Sequence, residues 1–200
     1  MLRRSAVFLV LVAVLGALCV PAAFADGSLL GLNNDCGSTS QPFAQFGDDR
    51  YYTFGSNGGL ESGSTGWSLG GGQVVRGNES FFVHSSSDSR SLALSPGDSA
   101  LSPKLCMGTT STVTRFFVRS GDDGRVRVQV VLRGLLGQVL GTLQISDVSA
   151  GSSWSPGPAI LNLDSLLGLV GVSSIQLKFT ELSGNVQVDD VYVDPWASRG

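Results

Sequence analysis

The chain has 200 residues, a formal net charge of −3 and 27 glycines, and 42% of its residues are apolar. This length fits about one domain, and the apolar fraction is high enough for a packed core. A general nucleic-acid-binding protein needs a basic face for its phosphate contacts, so the acidic balance disfavours that function.

The first 25 residues have the three parts of a secretory signal peptide. Arg3 and Arg4 form a basic start, residues 6–20 are apolar and uncharged, and Ala23 and Ala25 supply the small residues of a cleavage site. The apolar run is shorter than the ~20 residues of a membrane-spanning helix. We therefore expect a secreted, extracellular protein, envelope-associated or free, with no membrane insertion after cleavage; an uncleaved anchor is the alternative.

The rest of the chain predicts an arm, one domain and a tail. Residues 26–49 are polar and rich in Gly and Ser, which is typical of an irregular N-terminal arm. Residues 50–195 alternate short apolar segments with Gly-, Ser-, Asn- and Asp-rich turns and predict a single folded domain, and residues 196–200 form a C-terminal tail. Within the domain, only residues 164–170 suggest a short helical turn.

A two-residue period predicts antiparallel strands with one buried face. Valine or leucine occupies every second position from Val126 to Leu132, and Ile175, Leu177 and Phe179 repeat the pattern. About a dozen such segments indicate an all-β sandwich or barrel. The predicted strands are 51–54, 67–69, 73–76, 80–84, 91–94, 100–106, 112–119, 125–133, 139–146, 159–162, 174–182 and 185–193.

The last predicted strand changes its alternation at two consecutive aspartates. Val186 and Val188 share one parity, and Val191 shares the other with the valine that follows it. Unbroken alternation would bury an aspartate or expose the final valines. We therefore predict a β-bulge at Asp189 and Asp190 that redirects the side chains.

Cys36 and Cys106 are the two cysteines outside the signal segment. In an oxidising compartment, an even pair favours a disulfide, and two buried free thiols are the alternative. A zinc site is disfavoured because neither a second close cysteine pair nor a histidine cluster accompanies them.

Three segments in order carry a resemblance to a known family. They are Asn57-Gly58-Gly59-Leu60-Glu61 followed by Gly66-Trp67, then Ser91-Leu92-Ala93-Leu94, then Val188-Asp189-Asp190-Val191-Tyr192-Val193. Together they resemble carbohydrate-binding modules of the galactose-binding-like jelly-roll class, and the chain is similar to secreted actinobacterial proteins of this type. The resemblance implies a single jelly-roll β-sandwich of antiparallel strands with one short helical turn.

The resemblance also implies a structural calcium ion between the first and last strands. Glu61 and Asp190 match the ligand positions, with Asp189 as the alternate. Calcium prefers carboxylate and carbonyl oxygens, and a cation would neutralise an inward aspartate. The alternative is that Glu61 and Asp190 accept hydrogen bonds from backbone amides of neighbouring loops.

Sugar binding needs aromatic side chains on which a pyranose ring can stack. Trp154, in a serine-rich loop, is the first candidate, and Tyr51, Tyr52 and Phe82 are the others. We expect Trp154 to be partly exposed, and the alternative is that it folds over the sandwich edge.

The inventory of reactive residues predicts a protein that is not an enzyme. His84 is the only histidine, and no nucleophile motif accompanies it, so a serine-type triad is disfavoured. Arg125 and Arg127 share one strand face, where they contact an acidic glycan or simply face solvent.

The predicted function is non-catalytic binding of a cell-surface or environmental glycan. The alternative is an envelope-associated structural or protein–protein interaction domain without a sugar site. The partner is then a glycan or a cell-envelope component. Leu135 and Leu136, at a hairpin tip, either pack over the sandwich end or form a partner surface.

Overall fold

The computed structural model describes residues 36–106, 113–160 and 172–194. They form twelve strands and a single turn of 3₁₀ helix at Ala44–Phe46. The strands are β1 (Thr39–Ser40), β2 (Tyr52–Phe54), β3 (Ser68–Gly70), β4 (Gln73–Arg76), β5 (Arg90–Leu94), β6 (Ser99–Leu101), β7 (Val113–Ser120), β8 (Gly124–Gly134), β9 (Val139–Ala150), β10 (Ser155–Pro156), β11 (Val172–Ser183) and β12 (Val186–Asp194).

The strands form two antiparallel sheets, here named sheet A and sheet B. In sheet A, β12 pairs with β7 along one edge and with β5 and β2 along the other; β4, β1 and β10 extend the sheet outward. Sheet B has the order β3-β6-β11-β8-β9. The fold is therefore the all-β jelly-roll sandwich that the sequence predicts, built from antiparallel strands.

The main core lies between the two sheets and is built from the inward half of each alternating strand. Val126, Val128 and Val130 of β8 are fully buried there, together with Leu177 and Phe179 of β11. Burying an aliphatic or aromatic side chain stabilises a fold by about 1.5–3 kcal/mol, so this layer dominates the hydrophobic contribution.

A second apolar cluster covers the outer face of sheet A. Its buried members are Phe43, Tyr52, Phe117, Trp154 and Tyr192. Phe43 comes from the N-terminal arm and packs edge-on against Tyr52 and Tyr192, with centroid distances of 5.1 and 5.5 Å. The arm, predicted to be irregular, therefore closes this face of the sandwich.

Asp48 fixes the arm to sheet A through an ion pair with a strand residue. Its carboxylate accepts hydrogen bonds from Arg115 Nη1 at 2.6 Å, from the Tyr52 hydroxyl at 2.8 Å and from the Arg50 backbone N–H at 3.2 Å. Burial alone would raise the pKa of Asp48, but these partners outweigh it and hold that pKa below its usual range. Arg115 also lies over the ring of Phe43 at 4.6 Å.

The predicted disulfide is confirmed, because Cys36 is bonded to Cys106. The bridge joins the beginning of the described arm to the segment that follows β6. It ties together residues 70 positions apart in the sequence.

Several details differ from the sequence prediction. Residues 80–84 form a loop instead of a strand, because the Glu79 carboxylate accepts the N–H groups of Phe81 and Val83 and folds the chain back. Leu135 and Leu136 are 71% and 93% exposed, so they do not pack over the sandwich end.

Three predicted features lie outside the described residues. They are the signal peptide within residues 1–35, the helical turn at 164–170 and the C-terminal tail at 196–200. Within the described ranges, no helix has the length and apolar character needed to cross a membrane.

Loss of the disulfide should lower stability without changing the fold. In the double variant Cys36→Ser/Cys106→Ser, we expect a loss of about 2–4 kcal/mol, because the unfolded chain regains the entropy that the cross-link removes. Thermal unfolding followed by circular dichroism measures the loss. Dithiothreitol should lower the melting temperature of the wild type toward that of the variant. An unchanged melting temperature in the variant would contradict the stabilising role.

Glu181 should make the wild-type protein less stable as pH rises. Its side chain is 2% exposed, and burial raises its pKa to about 7, with like charge from Asp122 adding to the effect. The raised pKa means that stability present below pH ~4.5 is lost as pH rises through 7.

The variant Glu181→Gln should remove this loss. Relative to wild type, we expect it to gain about 2–3 kcal/mol between pH 5 and pH 8. Urea unfolding at the two pH values measures the difference. Parallel pH dependence in both proteins would show that Glu181 does not titrate in this range.

Candidate functional site

The predicted bulge in β12 forms the centre of a cluster of acidic side chains, here called the acidic cluster. It consists of Asp189 and Asp190 of the bulge with Glu79, Asp88 and the neighbouring His84. The register between β12 and β7 shifts between Asp189 and Tyr192, and Asp190 adopts a left-handed backbone conformation with φ of 46°. The extra residue explains the change of parity, since Val188 and Val191 both enter the main core. The bulge prediction is therefore confirmed.

The bulge also lies where the neighbouring edge of sheet A has a gap. On that edge, β5 pairs with residues 186–188 and β2 pairs with residues 192–193. A loop fills the space between them: Gly55 donates its N–H to the Val191 carbonyl, and Val191 donates to the Gly58 carbonyl. The carboxylates of the cluster therefore face loops, whose backbone can come close to them.

Gly59 allows the closest of these approaches. A Cβ atom at this position would lie 2.8 Å from Asp190 Oδ1, which is shorter than a normal contact. Glycine lets the loop backbone pass over the aspartate without displacing its carboxylate.

Asp190 is fully buried, and neither of its carboxylate oxygens has a hydrogen-bond partner among the described residues. His84 and Asp88 are among its neighbours: one potential ligand atom from each lies within 4.8 Å of one Asp190 oxygen, and the two lie within 4.8 Å of each other. His84 Nδ1 and Asp88 Oδ2 are 2.6 Å apart, and His84 reaches the surface with 38% of its side chain exposed. The cluster therefore extends from a buried carboxylate to solvent.

Two further acids surround Asp190 and are better satisfied. Asp189 accepts the backbone N–H of Glu79 at 2.8 Å and that of Asp190 at 2.9 Å. Glu79 is also fully buried, and its carboxylate accepts the two loop N–H groups described above.

Burial and mutual repulsion hold these acids toward their protonated forms. Burial raises the pKa of Asp190 to about 8, with Glu79 and Asp88 adding like charge. Burial likewise raises the pKa of Asp189 to about 9, followed by repulsion from Asp190. The nearby backbone N–H of His84 lowers the pKa of Asp190 to some extent, although its geometry is not that of a normal hydrogen bond.

The residues at this site fit a divalent cation. An uncompensated buried carboxylate costs several kcal/mol, and a bound cation removes that cost. Asp190 and Asp88 offer oxygens of the type that calcium takes, whereas the His84 imidazole is a donor that zinc-type ions prefer.

Glu61 lies close enough to Asp190 for its charge to help raise the pKa of that aspartate, and its role as a calcium ligand stays a prediction. Its Oε1 accepts the N–H groups of Ser89 and Arg90 at 2.8 and 2.7 Å. This arrangement matches the alternative interpretation for Glu61. Asp88 and His84, which the sequence did not single out as ligands, also stand beside Asp190.

The four predicted stacking side chains separate into two groups. Tyr52 is fully buried and Trp154 is 8% exposed, both within the aromatic cluster on sheet A. The expectation that Trp154 stands exposed is therefore wrong, because it folds onto the sheet and lies under Arg119 at 5.1 Å. Tyr51 and Phe82 are 51% and 46% exposed, and their role in ligand binding stays a prediction.

The outer face of sheet B carries a groove of about 440 Å³. It crosses β3, β6, β11, β8 and β9, and its lining combines hydroxyl, aliphatic and cationic side chains. The side chains most relevant to binding are Ser68, Leu101, Arg133, Val139, Thr142 and Lys178.

A smaller cavity of about 310 Å³ lies on the outer face of sheet A, beside Arg119 and Gln187. The Arg119 guanidinium group already has partners within the protein. Its Nε donates to Gln187 Oε1 at 2.7 Å, and the group stacks on Trp154. The groove on sheet B is thus the larger opening and has more side-chain groups available to a ligand.

Comparison with known proteins supports the type of fold. A scan against protein-family models finds no match. A search of curated proteins also finds none. Among solved structures, the chain is similar to the enzymatically active domain of bacteriophage CBA120 tailspike protein 4, with a TM-score of 0.52 and 12% identity. That similarity covers 69% of this chain and only 20% of the tailspike chain.

Other similar structures are carbohydrate-binding modules. TmCBM61, solved with β-1,4-galactotriose, has a TM-score of 0.48 and 18% identity over 70% of this chain and 95% of its own. A family 11 module from Clostridium thermocellum has a TM-score of 0.45 and 15% identity over 70% and 94%. The similarity to secreted actinobacterial proteins stays a prediction.

Proposed function

We propose that this protein is a secreted, non-catalytic carbohydrate-binding domain whose ligand lies along the outer face of sheet B. The observation that carries the proposal is the groove on that face. The solved carbohydrate-binding modules named above have this general type of fold, and the assignment of function rests on the chemistry of the groove itself.

The groove has the two kinds of contact that a sugar chain needs. The hydroxyl groups of Ser68 and Thr142 and the cationic groups of Arg133 and Lys178 can bond to sugar hydroxyl groups. Leu101 and the exposed Val139 supply aliphatic surface for the C–H groups of a pyranose ring. A groove with apolar surface and a few placed polar groups is typical of a ligand site.

The opposite outer face offers less room for a ligand. On sheet A, the arm and loop side chains of the aromatic cluster cover the strands, and Trp154 is part of that cover. Among the described residues, the extended surface that no arm or loop covers is on sheet B, where a polymer can lie across five strands.

A second candidate function is favoured by the β8–β9 hairpin. Leu135, Leu136, Val139 and Leu140 are 71%, 93%, 53% and 46% exposed. Adjacent exposed apolar side chains of this size mark many protein–protein contacts. This patch supports the alternative of an envelope-associated interaction domain.

We also propose that the acidic cluster holds a structural calcium ion. Asp190 would be the main ligand and Asp88 a second, with Asp189 and Glu79 adding negative charge around them. When bound, the ion would neutralise the buried carboxylates and tie the bulge to the loops above it.

Calcium should raise the melting temperature of the wild type, and EDTA should reverse the effect. The variant Asp190→Asn should lose this response and should be at least as stable as wild type in EDTA. Without a cation, the buried Asp190 carboxyl either takes up a proton well above its ordinary pKa or carries an uncompensated charge, and the amide avoids both costs. Differential scanning calorimetry with calcium, zinc and EDTA measures these shifts.

Glu61→Gln is the matched control for the calcium test. Its carboxylate bonds to loop amides, so we expect the variant to keep the calcium response while losing some stability. Stabilisation by zinc and not by calcium, or the same melting temperature under all conditions, would contradict the calcium assignment.

Glycan binding should depend on free space in the groove. Thr142→Glu places a longer side chain in the groove, and we expect it to weaken polysaccharide binding by about tenfold or more, equivalent to ~1.4 kcal/mol. Affinity electrophoresis of the full chain against a panel of soluble neutral and acidic polysaccharides measures the change.

Ser149→Glu is the control, since it adds the same charge on the outer face of β9 beyond the groove. We expect this variant to bind nearly as wild type does. If the folded protein retards on no polysaccharide, or if Thr142→Glu binds as well as wild type, the proposed site is wrong. The interaction-domain alternative then gains support.

A further inference from the structure

The outer face of sheet B has a charge opposite to that of the whole chain. The chain carries a net charge of −3, yet the strands of sheet B contribute Arg125, Arg127, Arg133 and Lys178. Their acids are Asp147 and Glu181, and Glu181 is buried because it pairs with inward-facing Val126. Four cations therefore face outward against one carboxylate.

The Asp147 carboxylate pairs with the two arginines at one end of this face. Asp147 accepts a bidentate pair from Arg127 at 2.9 and 3.1 Å, and it lies 3.5 Å from Arg125 Nη2. The charge of these two arginines is thus partly balanced. The remaining cations, Arg133 and Lys178, have no acidic partner among the described residues, and both line the groove.

Neutral hydrogen bonds hold Arg133 in position. Its Nε donates to Gln176 Oε1 at 2.7 Å, and its Nη1 donates to the Gly137 carbonyl at 3.1 Å. Gln176 is itself anchored, because its Nε2 donates to the Ser102 carbonyl at 2.6 Å. A guanidinium group has five N–H donors, so Arg133 keeps donors for a ligand in a fixed orientation.

The two groove cations are spaced for an extended ligand. Ser174 of β11 is the register partner of Arg133, and Lys178 follows it four positions further along the same strand. At ~3.3 Å per residue, the two positions are about 13 Å apart along the strands. A polymer with repeated acidic groups can contact both positions at once.

The described lining of the groove contains hydroxyl, aliphatic and cationic groups, with no aromatic ring among them. Ring stacking, the usual means of holding a neutral sugar, is thus replaced here by two charges without acidic partners. Charge-assisted hydrogen bonds are about twice as strong as neutral ones and favour carboxylate or phosphate groups.

We propose that the groove on sheet B binds an anionic polysaccharide that carries carboxylate or phosphate groups at intervals along its chain. This inference rests on the proposed function and names the class of its ligand. Arg133 and Lys178 bind the acidic groups, and Ser68 and Thr142 contact sugar hydroxyl groups between them.

The test compares one acidic sugar chain with its neutralised form and with a second polymer that carries phosphate. Isothermal titration of the full chain uses sodium hyaluronate and its methyl ester, in which the carboxylates are neutralised, together with a phosphodiester-linked capsular polysaccharide. We expect binding to at least one acidic polymer and at least about tenfold weaker binding to the ester. The carboxylate and phosphate arms distinguish the two sources of charge.

Variants test which residues read the charge. Lys178→Met and Arg133→Gln should each weaken acidic-polymer binding by about tenfold, whereas Lys178→Arg should keep most of it. Arg76→Ala, an exposed cation on β4 of sheet A, is the control and should bind as wild type. Rising salt should weaken wild-type binding and have less effect on the two neutral variants.

The outcomes separate this inference from the function on which it rests. Equal binding to hyaluronate and its ester, or to a neutral polysaccharide alone, would overturn the anionic ligand and leave carbohydrate binding standing. No binding to any polysaccharide would overturn both. Equal affinity for single-stranded DNA would overturn the inference, because it would show general attraction of polyanions.

Discussion

The two consecutive aspartates of β12 impose the main constraint on this fold. This strand pairs with β7 on one edge and with β5 and β2 on the other, so it occupies the centre of sheet A. A regular strand would direct one of these two side chains into the apolar core between the sheets, where no polar group could compensate it. The bulge instead directs both carboxylates toward the loops that fill the gap between β5 and β2, and it restores the inward direction of Val191.

The same constraint influences how the two outer faces differ. The loops drawn to the bulge place Phe81 over Phe117 on sheet A, and the N-terminal arm adds Phe43 to this cluster. The disulfide and the Asp48–Arg115 ion pair hold the arm there. Sheet A is consequently covered, whereas sheet B keeps polar side chains facing outward. The ligand surface that we propose lies on the sheet that these elements do not cover.

Local patterns in the sequence predict much of the architecture. The alternation of Val126 to Leu132 defines β8, and the change of parity at Asp189 and Asp190 locates the bulge. The burial of Trp154 could not be predicted in the same way, because its contacts, including that with Arg119 of β7, come from residues distant in the sequence. The sequence alternation at residues 80–84 predicts a strand that includes His84. The structure has a loop there, because backbone N–H groups donate to the Glu79 carboxylate, and side-chain alternation does not reveal such hydrogen bonds.

The central claim is that the ligand surface is the outer face of sheet B. Chemical-shift mapping by nuclear magnetic resonance tests it most directly, during titration with fragments of whichever polysaccharide binds. The largest changes should fall on β6, β8, β9 and β11, around Arg133 and Lys178. Changes concentrated instead at Tyr51, Phe82 or the loop of Trp154 would show that the ligand binds on the side of sheet A and would contradict the account.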